Sequence, residues 1–160
     1  MSIIKEIFSV ETEKEYHAIT RYLLFLIIYN VFSNSNNLNI CSINRLILYT
    51  QFIDVFDQSD KFLFCIIDYY NKHKSFLFSI VNLLIENRET YYAYINSKLN
   101  KIMIDNITSI IKYILLLSYF EINILVFKKQ MVISDYLTIL NVIGFTRKEI
   151  GFTNKIIDLF

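Results

Sequence analysis

An almost continuous apolar run, Ile110 to Phe127 (IIKYILLLSYFEINILVF), is interrupted only by Lys112, Ser118, Glu121 and Asn123. A surface helix shows one apolar stripe and one polar face, whereas this segment is apolar nearly all round. It is therefore either a helix buried among other helices or a membrane span. Lys112, Glu121 and Asn123 fall inside the candidate span and leave only Tyr113 to Phe120 free of charge. A charge at mid-bilayer costs roughly 2.5–3.5 kcal/mol, so two of them favour burial in protein. The run reads as a core helix whose polar residues sit at its ends or face a groove.

The flanking pattern predicts further helices. Glu11, Glu13 and Glu15 suit a helix N-terminus, and Tyr16, Ile19, Leu23, Leu26, Ile27 and Val31 follow at helical spacing in a helix over 11–33. Its apolar run, Tyr22 to Phe32, is too short to span a bilayer, which takes about 20 residues. Ser33 to Asn39 is the clearest loop. Ser42 can cap a helix from Ile43 to about Phe56. Helices over Lys61–Tyr70, Phe76–Glu86 and Thr90–Ile104 are expected next, separated by the polar breaks Asn71–Lys74 and Asn87–Glu89. Asp105-Asn106 opens the central helix, and Lys128-Lys129-Gln130 closes it, with cations placed well at a C-terminus. Ser134 can cap a helix from Asp135 to Ile143, stopped by Gly144 in a left-handed turn. The last helix runs from Thr146 or Arg147 to Phe160, with a bend expected at Gly151. Seven or eight helices around one apolar helix make an all-α bundle.

Composition narrows the function. At 160 residues the chain is read as one domain, 1–160, long enough to bury a core. Hydrophobic residues are 54% and charged residues 19%, so most helices must bury more than a narrow stripe. With no proline and only Gly144 and Gly151, the tight turns of a sandwich or barrel are scarce. A net charge of +1 from scattered basic residues gives no nucleic-acid footprint. The abundance of Ile, Asn, Lys, Tyr and Phe is what an AT-rich genome encodes, so the aromatics are not read as a stacking platform. Cys41 and Cys65 fit a reducing compartment and lack zinc-site spacing, and His17 and His73 have no metal-ligand neighbour in sequence. The acidic N-terminal segment is not a secretory signal. No glycine-rich phosphate loop or glycine-flanked nucleophile turn is present. Most carboxylates lie beside lysines or at helix ends. The chain reads as a binding protein, not an enzyme, and no cofactor is expected.

Two stretches carry a family resemblance. Asp105-Asn106-Ile107-Thr108-Ser109-Ile110-Ile111-Lys112 leads into the central helix and follows an amphipathic helix with Tyr94, Leu99 and Met103. It resembles homology region 1 of the Bcl-2 family of apoptosis regulators, with Asp105 on the family acid, Ser109 on its Asn and Lys112 on its Arg. Gly151-Phe152-Thr153-Asn154-Lys155-Ile156-Ile157-Asp158-Leu159-Phe160 is similar to homology region 2. Ile110 stands where the family has Trp, Ile111 where it has Gly, and Phe152 where it has Trp. Eroded motifs on a helical frame, with AT-rich coding, resemble the viral, poxvirus-type members.

The resemblance implies a Bcl-2-like bundle that captures BH3 helices of host pro-apoptotic Bcl-2 proteins in a hydrophobic groove and so inhibits mitochondrial apoptosis. The implied groove residues are Phe52, Phe56, Phe62, Ile66, Leu99, Met103, Ser109 and Lys112, with Lys112 meeting an acid of the partner. Phe152 and Ile156 would hold the last helix against the central one. The alternative is a Bcl-2-fold viral interaction protein that blocks innate immune, NF-κB-type signalling through its outer faces, a use that bulky Ile111 favours. The implied location is the host cytoplasm, with peripheral association with the mitochondrial outer membrane and homodimerisation left open. Members on mitochondria usually carry a hydrophobic tail, and a chain ending at Phe160 without one reads as untethered or truncated.

Overall fold

The computed structural model describes residues 18–33, 60–99 and 106–160, with side chains over 20–32, 68–99 and 106–160. Among the described residues the protein is all-helical. Five α-helices appear: α1 (Ala18–Ser33), α2 (Asp60–Lys98), α3 (Ser109–Tyr119), α4 (Lys129–Ile143) and α5 (Arg147–Asp158), with a π-helical turn, Phe120–Ile124, continuing α3. The expected helix over Ile43–Phe56, the expected loop Ser33–Asn39 apart from Ser33, and residues 11–17 lie outside the described residues. No described helix is long and apolar enough to cross a membrane.

α3 is the axis of the bundle and packs against each of the other four helices. Ile114, Leu115, Leu116 and Leu117 are consecutive and fully buried, which only a helix surrounded on all sides can achieve. Each such side chain contributes roughly 1.5–3 kcal/mol of burial free energy before ordering costs. α1 lies beside it and is buried just as completely from Arg21 to Ile28.

α2 corrects the expectation of three separate helices. It is one rod of 39 residues, about 58 Å long at 1.5 Å per residue. Its inward positions, Tyr70, Leu77, Ile80, Val81, Leu84, Tyr91 and Ile95, keep helical spacing straight through both polar breaks. Asn71, Lys72, Lys74 and Ser75 are simply its exposed face. Lys72 pairs with Asp68 one turn back at 3.0 Å, and half-buried His73 stacks on Tyr69 at 4.3 Å between ring centroids. At the second break, the Asn87 amide donates to the Leu83 carbonyl at 2.9 Å within the helix. A run of polar residues without glycine or proline changes what a helix shows to solvent, and leaves its backbone intact.

The central run also ends earlier than its apolarity implied. After Tyr119 the helix widens into the π turn, Leu125 N–H donates to the Phe120 carbonyl (3.0 Å), and Phe127 N–H donates to the Glu121 carbonyl (2.9 Å). Val126 makes the reversal in a left-handed conformation, φ 60°. α4 then starts at Lys129, before the expected Ser134 cap, because its buried face begins at Val132 and continues through Tyr136, Ile139 and Leu140. Lys128 and Lys129 therefore open α4 instead of closing the central helix. Lys129 still meets a helix C-terminus, since its Nζ donates to the Asp158 carbonyl of α5 at 2.9 Å.

The α4–α5 corner follows its sequence signals. Gly144 caps α4 at φ 108°, a conformation that costs a side-chain-bearing residue. Thr146 caps α5 by accepting from Glu149 N–H at 3.2 Å and donating to Glu149 Oε1 at 2.9 Å. Gly151 lies within α5, which runs unbroken from Arg147 to Asp158; one glycine costs a helix only about 1 kcal/mol. α5 packs on α3 and α4, with Ile156 buried and Phe152 half-buried against the core.

Candidate functional site

Where α2 passes the first turn of α3, a cleft of about 460 Å³ opens. Arg88, Tyr92 and Asn96, one turn apart on α2, form one wall with Glu89 and Ala93 beside them. Ser109, Lys112 and Tyr113 of α3 form the other, and Phe32 at the end of α1 closes it. The aromatic floor is held by ring packing. Tyr113 lies 5.5 Å from Phe32 and meets Tyr29 edge-on at 6.3 Å.

Each cation of the cleft lies over an aromatic ring. The Lys112 Nζ is 5.0 Å from the Tyr92 ring centre, and the Arg88 guanidinium carbon is 5.2 Å from that of Phe32. Such contacts fix long side chains at about 0.5–1 kcal/mol each. Glu89 lies 3.8 Å from Arg88 Nε but is 91% exposed, a pair of little strength. At the α3 N-terminus, Thr108 makes no side-chain capping bond and no acid occupies the first turn. The cleft therefore places two cations and one exposed acid beside aromatic rings.

The structure brings together two of the eight groove residues expected from sequence, Ser109 and Lys112. Leu99 is half-buried against the core and does not line the cleft. Phe52, Phe56 and Met103 lie outside the described residues. Phe62 and Ile66 belong to the α2 backbone, but Ile66 is 22 residues from Arg88 along one continuous helix. That is about 33 Å along the helix axis. The expected groove rests on a break at 71–74, where α2 is continuous. Arg88 and Glu89 sit in a polar stretch that resembles a helix break, and the 88, 92, 96 repeat becomes visible only once the helix is continued through them. Ile111, expected at a groove, is buried at 3% exposure.

A second polar cluster lies inside the bundle. Arg21 Nε donates to Glu121 Oε1 and a terminal nitrogen of the same guanidinium donates to Asp135 Oδ2, both at 2.6 Å. Glu121 is fully buried. Burial pushes its carboxyl up to about 7 against the opposing pull of Arg21 and of the Tyr136 hydroxyl. Arg21 also lies 6.0 Å from the Phe127 ring centre. Glu121 lies just past the end of α3, one of the two placements its sequence context predicts, and ties the π turn to α1 through Arg21. Among the described residues no group of His, Cys, Asp and Glu is arranged to hold a metal ion.

Comparison with protein-family models, with curated proteins and with solved structures gives no match.

Proposed function

We propose that this protein is a non-catalytic interaction module of the Bcl-2-like kind, which captures an amphipathic helix of the BH3 type and thereby inhibits mitochondrial apoptosis. The observation that carries the reading is the position of Lys112 and Ser109 in the first turn of the central helix. Both line a cleft between that helix and α2. An amphipathic helix laid along α2 would set apolar side chains against Phe32, Tyr92 and Tyr113 and an acidic one toward Lys112. Lysine offers a point charge where arginine offers a planar fork, so the contact tolerates varied geometry. Titration calorimetry against a panel of BH3 peptides tests this: binding of at least one peptide, weakened by Lys112→Glu, is expected. Absence of binding across the panel would sink the reading.

One observation favours a second use of the fold. The cleft is lined largely by polar residues, Arg88, Glu89, Asn96, Ser109 and Lys112. Interaction through outer faces, as in blocking of innate immune signalling, needs no apolar groove. It predicts partner binding unaffected by Lys112→Glu.

A further inference from the structure

One guanidinium from α1 holds the corner between α3 and α4 at three places. Arg21 donates to Glu121 Oε1 on the π turn and to Asp135 Oδ2 on α4, each at 2.6 Å, and lies 6.0 Å from the Phe127 ring centre. Within the corner, Leu125 N–H donates to the Phe120 carbonyl and Phe127 N–H to the Glu121 carbonyl. Val126, between those two donors, is exposed and left-handed, a strained conformation for a β-branched residue. Opening the corner releases that strain, which biases it toward local opening. The Glu121 carboxyl is also unevenly satisfied. Oε1 takes the Arg21 bond, whereas Oε2 is buried with no donor in full hydrogen-bond geometry. Ionising this carboxyl therefore leaves one of its oxygens with little compensation for lost water.

We propose that the α3–α4 corner is a proton-operated latch, closed on Arg21 while Glu121 is protonated and opened locally when Glu121 ionises. The charged and titratable groups acting on Glu121 are Arg21 from α1 and Tyr136 and Asp135 from α4. α2 meets the turn through the Tyr91 ring, 6.2 Å from that of Phe120, and Phe160, past α5, meets Tyr119 edge-on at 5.8 Å. Burial outweighs the cation and raises this carboxyl to about 7, so the closed corner keeps a proton that a solvated carboxyl releases. The sign follows: as pH rises toward 7, the open corner, where water reaches both oxygens, gains on the closed one. Opening frees the turn from α1 and bares Leu125 and Phe127, which are half-buried against the core. The latch lies past the C-terminal end of α3 and the cleft at its first turn, so the latch does not depend on the helix-capture reading.

Native-state amide hydrogen exchange of the full chain, read residue by residue by NMR and divided by intrinsic rates, tests this. The reporters are the Leu125 and Phe127 amides of the latch. The Gly144 and Phe145 amides, bonded at the α4–α5 corner, and those of Ile114–Leu117 inside α3 serve as controls. Between about pH 5 and about pH 8, opening at the latch amides should rise by roughly ten- to a hundredfold, well beyond any rise at the controls. Glu121→Gln, which has no proton to lose, should make latch opening independent of pH. A rise shared equally by the α3 amides would mean that pH acts on global unfolding alone, and would overturn the latch. Latch amides whose protection is constant or grows with pH would overturn it too. A rise that persists in Glu121→Gln would remove Glu121 as the sensor and overturn it equally. The wild-type measurement decides the matter even if the variant does not fold.

Discussion

Arg21 on α1 and Glu121 on the π turn form an ion pair at 2.6 Å with side chains 2% and 0% exposed. They are 100 residues apart in sequence and join the two helices that are buried all round. Asp135, from α4, takes the other side of the guanidinium. One buried cation thus registers three helices whose surrounding contacts are apolar and, being non-directional, fix register only through shape.

Breaking this pair on one side should cost far more than removing it whole. Arg21→Met leaves Glu121 without its cation, and Glu121→Leu leaves Arg21 with the partly exposed Asp135 alone. Each should cost about 3–5 kcal/mol, with Glu121→Leu the milder because Asp135 remains. The double variant Arg21→Met/Glu121→Leu should recover most of the loss, because apolar residues of similar volume fill the site without the desolvation of two charges. Urea unfolding of the four proteins gives the coupling directly. Additive single losses would show that the pair does not act as a unit.

The same carboxyl gives stability a pH dependence of definite sign. Its folded-state pKa is raised from an ordinary 4.5 to about 7, chiefly by burial, with Arg21 and Tyr136 opposing and Asp135 adding to the rise. Between those values the folded protein holds a proton that the unfolded chain has released. The contribution of Glu121 to stability therefore falls as pH rises from about 4.5 to about 7 and is flat on either side. Urea midpoints for the wild type should decline across this window relative to Glu121→Gln, which has no proton to lose. A difference that rises with pH would mean that Arg21 outweighs burial.

The parts of this fold readable from sequence were those written in local chemistry. Gly144 and Thr146 are a stop and a start signal, and both occupy those positions. The burial of Ile114–Leu117 follows from an apolar run with no polar face. Two things were hidden. Asn71–Lys74 and Asn87–Glu89 look like breaks because polarity and helix termination share residue types, yet neither contains glycine or proline, and the inward repeat through Tyr70, Leu77, Leu84 and Tyr91 was the better guide. Arg21 and Glu121 pair across the fold, which no local pattern encodes; the available sign is that Arg21 is the sole charge of α1 and Glu121 the sole acid of the central apolar run. Arg88, one of the two cations lining the cleft, is hidden for the same reason as the continuity of α2.

The continuity of α2 is testable at its most polar point. Lys74 is exposed and lies between Asn71 and Ser75, where a loop would accept proline at little cost. In a continuous helix, proline removes one backbone hydrogen bond and clashes with the preceding turn, costing about 3 kcal/mol or more. Lys74→Pro should therefore lower the urea midpoint sharply and reduce helical circular dichroism, with Lys74→Ala as a neutral control. A proline variant as stable as the control would restore the separate helices.

Val126 is strained, and relieving it should stabilise the protein. Its φ of 60° is left-handed, and the residue is β-branched, the class that tolerates this region least. Left-handed backbone costs an L-residue roughly 1–2 kcal/mol, and the side chain recovers little by burial because it is 78% exposed. The position must nevertheless be left-handed, since this conformation brings Phe127 N–H back to the Glu121 carbonyl at 2.9 Å. Glycine removes the strain but makes the unfolded chain more flexible, which offsets about 0.5–1 kcal/mol. Val126→Gly should thus gain about 0.5–1 kcal/mol net, or roughly 1–4 °C in Tm for a chain of this size. Val126→Asn should gain similarly, because Asn tolerates the left-handed region without glycine's entropy. Val126→Ala keeps a Cβ and should gain least of the three. If both glycine and asparagine lower Tm, the valine side chain is making a contact worth more than the strain it imposes.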